Sequence, residues 1–239
     1  MAKKGGNSKG GSKKGTKKGV KRKVVDAFDK KEWYGLKVPS VFVNKNVGKT
    51  LISRISTKQN LEKGLVGRCF TVSQGDLNPG NEEHSCRKFK FIVDSLKGSD
   101  AVASFYGMEL TIDKQRGIIR KWHTLIEGNV EVRTKDDYLL RVFVMGITKR
   151  RPDHVKKTCY ATTAKVKKIR QRMFEIIKEE FSTSDIEKVM KKMCTEKVGK
   201  EIERQCSSIF PLQNCYTRKV KVLKRPKVEG EIEEVVEVN

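Results

Sequence analysis

The pattern of apolar and polar positions predicts two β-hairpins with a helix between them. Residues 87–93 alternate apolar with basic side chains, and a turn leads into a second alternating run at 101–110. Residues 129–134 and 138–148 predict the second hairpin, joined by a tight turn. The run at 138–148 is apolar on both faces, which indicates a central strand covered on both sides.

Between the hairpins, apolar residues recur at the three- and four-residue spacing of one helix face. We expect a helix that Thr111 caps, that turns Ile118, Trp122 and Leu125 inward, and that ends at Gly128. If Trp122 is buried in this way, its truncation should cost about 3–5 kcal/mol. The outward face of this helix is basic and carries Lys114, Arg116, Arg120 and Lys121. The predicted unit is strand, helix, strand, strand.

Outside this unit, the spacing of apolar residues predicts short strands in the N-terminal part of the chain and helices in the C-terminal part. We expect a turn at Gly48 into a strand at 50–55, a strand at 68–72 and an exposed loop at 74–85. Beyond residue 157 the predicted elements are a helix at 158–180, a capping box at 184–187 that opens a second helix, a third helix that Pro211 ends, and an edge strand with outward lysines at 216–223.

By composition the chain divides into four parts within an α+β fold. Residues 1–23 form a basic tail, residues 24–157 a β-rich core, residues 158–228 a helical part with a returning edge strand, and residues 229–239 an acidic tail. Neither tail can offset its ordering entropy by burial, so we expect both to be disordered. The basic tail fits a nuclear-localisation patch, a flexible arm on phosphates or a solubilising segment.

Net charge narrows the choice of partner. Lysine and arginine number 53 against 29 acidic residues, and a net charge of +24 resists compaction unless a polyanion neutralises it. Nucleic acid is the expected partner, with an anionic membrane as the rival. No apolar run reaches the roughly 20 residues of a membrane span, and the N-terminal residues lack the apolar core of a signal peptide.

The sequence shows no pattern of catalytic or metal-binding residues. The six cysteines contain no C-x-x-C pair and predict free thiols in a reducing compartment. The stretch NVGKT at 46–50 lacks the first glycine of a nucleotide-binding loop, because Val43 stands there. The three histidines lie in separate segments, and His123 is interpreted as a helix-surface residue. We therefore expect no enzyme activity, no cofactor and no metal.

Basic residues are spread over several segments, which indicates a protein embedded in folded RNA. The rings of Phe28, Trp33 and Tyr34 suit base stacking or core packing, and core packing is preferred for the last two. The helix at 158–180 begins with a uniformly basic half, which favours contact with nucleic acid. The predicted RNA-binding residues are Lys13, Lys14, Lys17, Lys18, Lys21, Arg22, Lys23, Lys45, Lys49, Lys88, Lys90, Arg116, Arg120, Lys121, Lys149, Arg150, Arg151, Lys156, Lys157, Lys165, Lys168 and Arg172.

Eight short strings run in order along the chain: GKTLISR (48–54), RKFKF (87–91), RKWHTLIEG (120–128), VEVRTKDDYLLRVF (130–143), ITKRR (147–151), QRMFEII (171–177), SIFPL (208–212) and RKVKVLKRPK (218–227). Together they resemble the eukaryotic and archaeal small-subunit ribosomal proteins of the S-one-e, or S-three-a, family over residues 20–228. One departure is Asp136-Asp137, where the family often has Asp-Gly in the hairpin turn.

The resemblance implies an α+β domain around a barrel-like, mostly antiparallel sheet, with helices in the C-terminal half. It implies a structural role in the small ribosomal subunit, with contacts to small-subunit rRNA on the platform near the mRNA exit. Neighbouring ribosomal proteins, mRNA and initiation factor three are the other implied partners. The implied location is the cytoplasmic ribosome, with the nucleus and nucleolus during assembly.

Two other functions compete with this interpretation. A nuclear chromatin or ribonucleoprotein component would use the basic tail, although no recognition-helix motif accompanies it. An RNA-modifying enzyme would need a nucleophile or a cofactor site, and the sequence shows neither.

Overall fold

A computed structural model describes residues 26–53, 58–80 and 82–226, so both predicted tails lie outside the described residues. The strands are β1 (Lys31–Lys37), β2 (Asn46–Ser53), β3 (Cys69–Ser73), β4 (Arg87–Lys97), β5 (Asp100–Leu110), β6 (Leu125–Arg133), β7 (Leu139–Thr148) and β8 (Leu212–Lys224). The α-helices are α1 (Lys58–Leu65), α2 (Gln74–Leu77), α3 (Ile112–Ile118), α4 (Thr163–Ser182), α5 (Ile186–Cys194) and α6 (Lys197–Cys206). Short 3-10 turns cover Ala27–Lys30 and Glu82–Cys86.

The strands of the described ranges form one open, mostly antiparallel sheet. One edge of β5 pairs with β4, which in turn pairs with β3. The other edge of β5 is shared, because its first residues pair in parallel with β1 and residues 107–109 pair with β8. The sheet continues from β1 to β2 and from β8 to β7 and β6. Within the described residues β2, β3 and β6 are edges, so the sheet does not have the closure that a barrel-like sheet would require.

The C-terminal helices cover one face of this sheet. α4 packs on β6 and α6 packs on β8, and one apolar cluster joins the two layers. The buried strand residues include Phe89, which the alternation placed inward, and Val142 of the strand with two apolar faces. Phe42 packs into the same cluster, with its ring centroid 5.3 Å from that of Phe89. Removing these side chains from water is the main contribution to the stability of the fold.

Arg87, the first residue of β4, is a charged residue inside this core, with 2% of its surface exposed. Its guanidinium donates to Gln74 Oε1 at 2.5 Å and to the Cys194 carbonyl oxygen at 3.0 Å, and it forms an ion pair with Glu196. The Gln74 amide also donates to the Cys194 carbonyl oxygen, at 3.1 Å. Because a buried cation is costly unless it is paired and hydrogen-bonded, these contacts tie β4 to the turn between α5 and α6.

The predicted strand, helix, strand, strand unit is confirmed, but its helix is shorter than expected. Thr111 caps α3 as predicted, and the helix ends at Ile118. Residues 125–133 form β6 instead of a last helical turn, and Gly128 lies within that strand. A Cβ atom at Gly128 would lie 2.6 Å from the Phe174 ring, so the glycine permits close packing of α4 on the strand. Pairing with β7 and packing under α4 override the helical spacing of the apolar residues.

Trp122 is not buried, so the predicted cost of its truncation, which assumed burial, does not apply. The residue lies in the connection between α3 and β6, where its side chain is half-buried. Its φ is 69°, in the left-handed region, which is uncommon for a bulky residue and does not continue a right-handed helix.

The last strand was predicted to be an edge strand, and this prediction is wrong. β8 lies between β5 and β7. Lys221 points outward as expected, while Val220 and Val222 are buried. An alternating pattern indicates that one face of the strand is covered and the other is open. In a two-layer fold this is true of interior strands as well as edge strands, so the pattern cannot distinguish them. β7 is central as predicted, although its second face is buried only near its C-terminal end.

Two segments expected to be irregular are ordered. β2 begins at Asn46, so Gly48 lies inside the strand, with a φ of 139° that favours glycine, rather than in a turn before it. The segment 74–85 contains α2 and buries both Gln74 and Leu77. Its turn residues correctly indicated a change of direction, but the contact of Gln74 with Arg87 could not be seen in local sequence.

The C-terminal helices differ from prediction at two points. α4 begins at Thr163, because residues 158–162 are not helical and the N-cap Thr162 has an extended backbone. The expected capping box does not form at the start of α5. Instead, the Ile186 amide donates to Asp136 Oδ2 at 2.8 Å, a carboxylate that belongs to the turn between β6 and β7. The cap is therefore tertiary rather than local.

Replacing Arg87 with Met should lower the free energy of unfolding by about 3–5 kcal/mol, because Glu196 loses a buried partner. Urea denaturation followed by circular dichroism measures this change. The matched control is Arg141→Met, whose ion pair with Glu131 is largely exposed and should contribute less than about 1 kcal/mol. Equal losses in the two variants would contradict the special role of the buried contacts.

Replacing Gly199 with Ala should destabilise the protein by about 1–3 kcal/mol, because the new methyl group would overlap the Cys215 carbonyl oxygen and push α6 away from β8. Gly117→Ala is the control. Nothing lies within 4 Å of a Cβ atom at Gly117, which is in α3, so alanine there should stabilise by about 0.5–1 kcal/mol. Thermal unfolding of both variants compares the two effects, and a neutral Gly199→Ala would show that α6 is not held tightly.

Candidate nucleic-acid interface

Three chain segments meet at the end of β7, and Thr148 holds them together. Thr148 is completely buried, with 0% of its surface exposed. Its hydroxyl donates to the Cys159 carbonyl oxygen at 2.7 Å and accepts from the Thr124 amide at 2.9 Å. Its own carbonyl oxygen lies 2.6 Å from Nδ1 of His123, which is therefore tied to the backbone rather than free on a helix surface. These bonds join the connection before β6 to the segment 149–162.

Further backbone bonds hold the segment 149–162, which the sequence presented as a linker. The Cys159 amide donates to the Trp122 carbonyl oxygen at 2.8 Å. The Lys149 amide donates to the Pro211 carbonyl oxygen, also at 2.8 Å. These two bonds hold the ends of this basic segment against the rest of the fold.

This arrangement gathers five of the predicted RNA-binding residues, four of them around two aromatic rings and the fifth, Lys149, in the adjoining cavity. The Nζ atoms of Lys121 and Lys157 lie 5.0 and 4.8 Å from the ring centroid of Trp122. The Arg151 guanidinium and Lys165 Nζ each lie 5.7 Å from the ring centroid of Phe210. Such distances permit cation–π attraction, which orients both cation and ring. The basic end, as we name this surface, consists of Lys121, Trp122, Lys149, Arg151, Lys157, Lys165 and Phe210.

A cavity of about 150 Å³ opens within the basic end. Its lining residues are Lys149, Arg151, His154, Cys159, Tyr160, Lys165 and Phe210. Tyr160 is 58% exposed at its mouth. A neighbouring open cavity shares Arg151 and His154 and adds Lys156. Cations and rings on an open surface suit phosphates and stacked bases, whereas a small reacting substrate requires enclosure.

The positive charge of the basic end is not compensated by the fold. Within the described ranges, none of its five cations forms an ion pair with an acidic residue, whereas many arginines elsewhere do. Arg172, also predicted to bind RNA, is one of the paired ones. It bonds to Glu175 at 2.7 Å, and this hydrogen bond raises the pKa of Arg172. Unpaired like charges held close together are stabilised when a polyanion approaches.

The other predicted RNA-binding residues are not brought to the basic end. Arg150 folds back and donates to the His154 carbonyl oxygen at 2.7 Å. Lys156 lines the open cavity beside the basic end. Exposed side chains elsewhere on the described surface are Lys45, Lys49, Lys88, Lys90, Arg116, Arg120 and Lys168. The tail residues Lys13, Lys14, Lys17, Lys18, Lys21, Arg22 and Lys23 lie outside the described residues.

The sequence-based prediction missed the rings of this surface. Helical spacing places Trp122 in the core, Phe210 lies beside the helix-ending Pro211, and none of Trp122, Phe210 and Tyr160 is among the predicted RNA-binding residues. An aromatic residue that follows a run of lysines, as Tyr160 follows Lys156 and Lys157, is the signal that could have found it. Trp33 was also expected in the core and is instead 56% exposed on β1.

The described residues contain no cluster of metal ligands and no membrane helix, and three of their thiols are made less reactive by burial. No group of three or more His, Cys, Asp or Glu side chains among them could hold a metal ion. Burial raises the pKa of the Cys194 and Cys206 thiols to about 11 and also raises the pKa of Cys215, and a protonated thiol is a poor nucleophile. Within the same residues, each helix is too short or too polar to cross a lipid bilayer.

An α+β scaffold that presents uncompensated cations and rings has the surface of a nucleic-acid-binding protein. Residues 19–226 match the model of the Ribosomal S3Ae family, and the chain belongs to that family. It is therefore an RNA-binding ribosomal protein of the small subunit, part of a ribonucleoprotein that acts in translation. This finding confirms the resemblance seen in the eight sequence strings. Members of such a family are structural proteins rather than enzymes.

Replacing Thr148 with Val should loosen the basic end while leaving the sheet folded, because valine keeps the shape but cannot bond to Cys159 or Thr124. We expect a loss of about 1–3 kcal/mol and faster hydrogen exchange at residues 122–124 and 158–161. Thr134→Val is the matched control, since Thr134 is also buried and bonds to Tyr138 in the β6–β7 turn. Exchange at the basic end that is no faster in Thr148→Val than in this control would contradict the role of Thr148.

Proposed function

We propose that this chain is a structural constituent that holds small-subunit rRNA through its basic end, near the platform and the mRNA exit. The observation that supports it is the group of four cations around Trp122 and Phe210, with Lys149 in the adjoining cavity, none of which has a described acidic partner. A phosphate backbone supplies the missing negative charge, and each contact releases condensed counterions. The affinity should therefore fall steeply as salt rises.

The remaining exposed cations extend this proposal to a protein surrounded by RNA. Arg116 and Arg120 lie near α3, Lys45 and Lys49 near β2, and Lys168 on α4. Phosphate contacts from several directions fix position and orientation without reading base sequence. Such a protein supports subunit assembly by holding rRNA segments in place.

Family membership and the resemblance over residues 20–228 support the wider parts of the proposal. The partners beyond rRNA are neighbouring small-subunit proteins, mRNA at the exit and initiation factor three, and the role extends to translation initiation. The site of action is the cytoplasmic ribosome, after assembly in the nucleus and nucleolus.

The basic end is tested by neutralising it with Lys149→Gln, Arg151→Gln and Lys165→Gln in one tagged chain. We expect this triple variant to leave the small subunit during a high-salt wash that the unsubstituted chain survives, as seen on a sucrose gradient. In binding to an isolated rRNA fragment, the slope of log affinity against log salt should fall by about 2, because three phosphate contacts are lost.

The matched control removes the same charge from exposed helical lysines, with Lys178→Gln, Lys191→Gln and Lys200→Gln. Circular dichroism checks that both triple variants are folded. Salt-resistant association of the basic-end variant equal to that of the control would remove the basic end from the rRNA interface. Sedimentation of the unsubstituted chain with chromatin alone would favour the nuclear nucleic-acid-binding alternative.

A further inference from the structure

The sheet face opposite the helices carries a second set of basic and aromatic side chains, hereafter the open face. Strand register places Lys90, Gly107, Lys221 and Arg141 in one row across β4, β5, β8 and β7. The next row contains Lys88, Glu109, Lys219 and Phe143. Residues paired across neighbouring strands point to the same face, so these side chains share one surface. The open face consists of Lys88, Lys90, Tyr106, Glu109, Arg141, Phe143, Lys219 and Lys221.

A trough lies over the middle of the open face. The register between β4 and β5 shifts after Lys90, which leaves Tyr106 as an extra residue of β5 beside Gly107. Gly107 has no side chain to fill the space, and a Cβ atom there would lie 2.7 Å from the Val220 carbonyl oxygen. The resulting cavity is about 450 Å³, a volume typical of sites that hold a small organic group, and Lys90, Tyr106 and Lys221 are among the residues that line it.

Two rings on this surface are already in contact with cations. Lys90 Nζ lies 5.1 Å and the Arg225 guanidinium 5.7 Å from the ring centroid of Tyr106. Lys221 Nζ lies 6.0 Å from the ring centroid of Phe143. The two lysines and Arg225 are exposed and have long side chains. Each cation can therefore move from a ring to a phosphate when a base takes its place.

The open face has more positive charge than its acidic residues neutralise. Lys219 pairs with Glu109 at 3.0 Å, Arg225 pairs with Asp94 at 2.6 Å, and Arg141 pairs with Glu131. Lys88, Lys90 and Lys221 form no ion pair with a described acidic residue. An acidic protein segment would be attracted to these lysines but would gain little from the rings. RNA can use the lysines and the rings together, because its phosphates are attracted to the lysines and every base has a flat face that stacks on an aromatic ring.

We propose that the open face binds an unpaired stretch of RNA, with bases stacked on Tyr106 and Phe143 and phosphates on Lys88, Lys90 and Lys221. The proposal rests on the proposed function only in taking RNA as the polyanion. One strand, β8, separates the strands of the two rings, and the register places Phe143 level with Glu109, three residues along β5 from Tyr106. The rings are therefore about 10 Å apart across the sheet and about 10 Å apart along it, and one short single strand reaches both. A duplex cannot do so, because its bases are stacked on one another inside the helix.

The test uses the full-length chain with the basic end neutralised by the triple variant, so that the remaining binding reports other surfaces. The probes are a fluorescein-labelled 12-nucleotide RNA of alternating C and A and a fully paired RNA duplex of the same length. Adding Tyr106→Leu and Phe143→Leu should weaken single-strand binding about tenfold or more and leave duplex binding within about twofold. Adding Lys90→Gln and Lys221→Gln should weaken both, because phosphates are common to the two probes.

Single-strand affinity that the two leucine substitutions leave unchanged would overturn the proposal, and so would equal losses for both probes. Capture of a glutamate-rich peptide that depends on Lys90 and Lys221, with no effect of the ring substitutions on RNA, would assign the face to an acidic protein segment instead. Because the rings are partly buried, a second measurement avoids substitution. In the unsubstituted chain, photo-crosslinking with 4-thiouridine RNA should label peptides of β5, β7 or β8, and labelling confined to the basic end would overturn the proposal.

The subunit-retention experiment depends on the basic end alone. Its failure would leave the single-strand result on the open face unaffected, so the two proposals fail separately.

Discussion

The fold depends on the return of the last described strand to the middle of the sheet. β8 pairs with β5 on one side and with β7 on the other, and within the described residues it is the strand that connects the first half of the sheet to the β6–β7 hairpin. α6 immediately precedes it and packs against it, so sheet completion and helix docking take place together. The paired residues of β5 and β8 are about a hundred residues apart in sequence. Bringing them together costs conformational entropy, and the burial of apolar side chains that follows must offset this cost.

This construction leaves one face of the sheet covered and the other open, and the charges of the protein follow that division. The covered face has Arg87 as its charged member, and its guanidinium is satisfied by Gln74, Cys194 and Glu196. Many surface cations on the helices have acidic neighbours, as Arg204 has Glu201. The basic end and, on the open face, Lys88, Lys90 and Lys221 instead keep cations that have no described carboxylate partner, and several of these cations contact rings. A protein whose folding leaves these charges uncompensated gains most when RNA surrounds it.

Neutral buried hydrogen bonds position the exposed charges of the basic end. Thr148, Thr124 and the Cys159 backbone hold two connections together without any charged group. Because such bonds have fixed directions, the lysines and Arg151 stand at defined places although their own side chains are solvated. The cation–ring contacts restrict them further. Membership of the Ribosomal S3Ae family gives this arrangement its context, since rRNA presents phosphates in a fixed three-dimensional pattern.

The sequence by itself determined the elements with strong local signals. Alternation located β4, β5 and β7 and gave the correct inward residues of β4, helical spacing gave the apolar stripe of α4, and the family strings gave the class of protein. The alternation of β5 is broken by the bulge at Tyr106, which only strand pairing reveals. The sequence did not determine where the apolar spacing changes from that of a helix to that of a strand, as it does at residues 125–133. Leu125 and Ile126 fit a helix face and a strand equally well, and contacts with β7 and α4 decide between the two. Nor did alternation locate β8, because an edge strand and an interior strand under one helical layer share the same pattern.

Only the tertiary structure decided which of the many lysines act together. Lys121, Lys157 and Lys165 are far apart in sequence from the Phe210 that completes their surface. The bonds of the Thr148 hydroxyl and the bond from the Lys149 amide to the Pro211 carbonyl oxygen bring them to one place. Lys90 and Lys221 become neighbours through Gly107, a contact that depends on strand order. Charge composition is a property of the chain, whereas a binding surface depends on distances, and those are fixed by pairing and packing between residues remote in sequence.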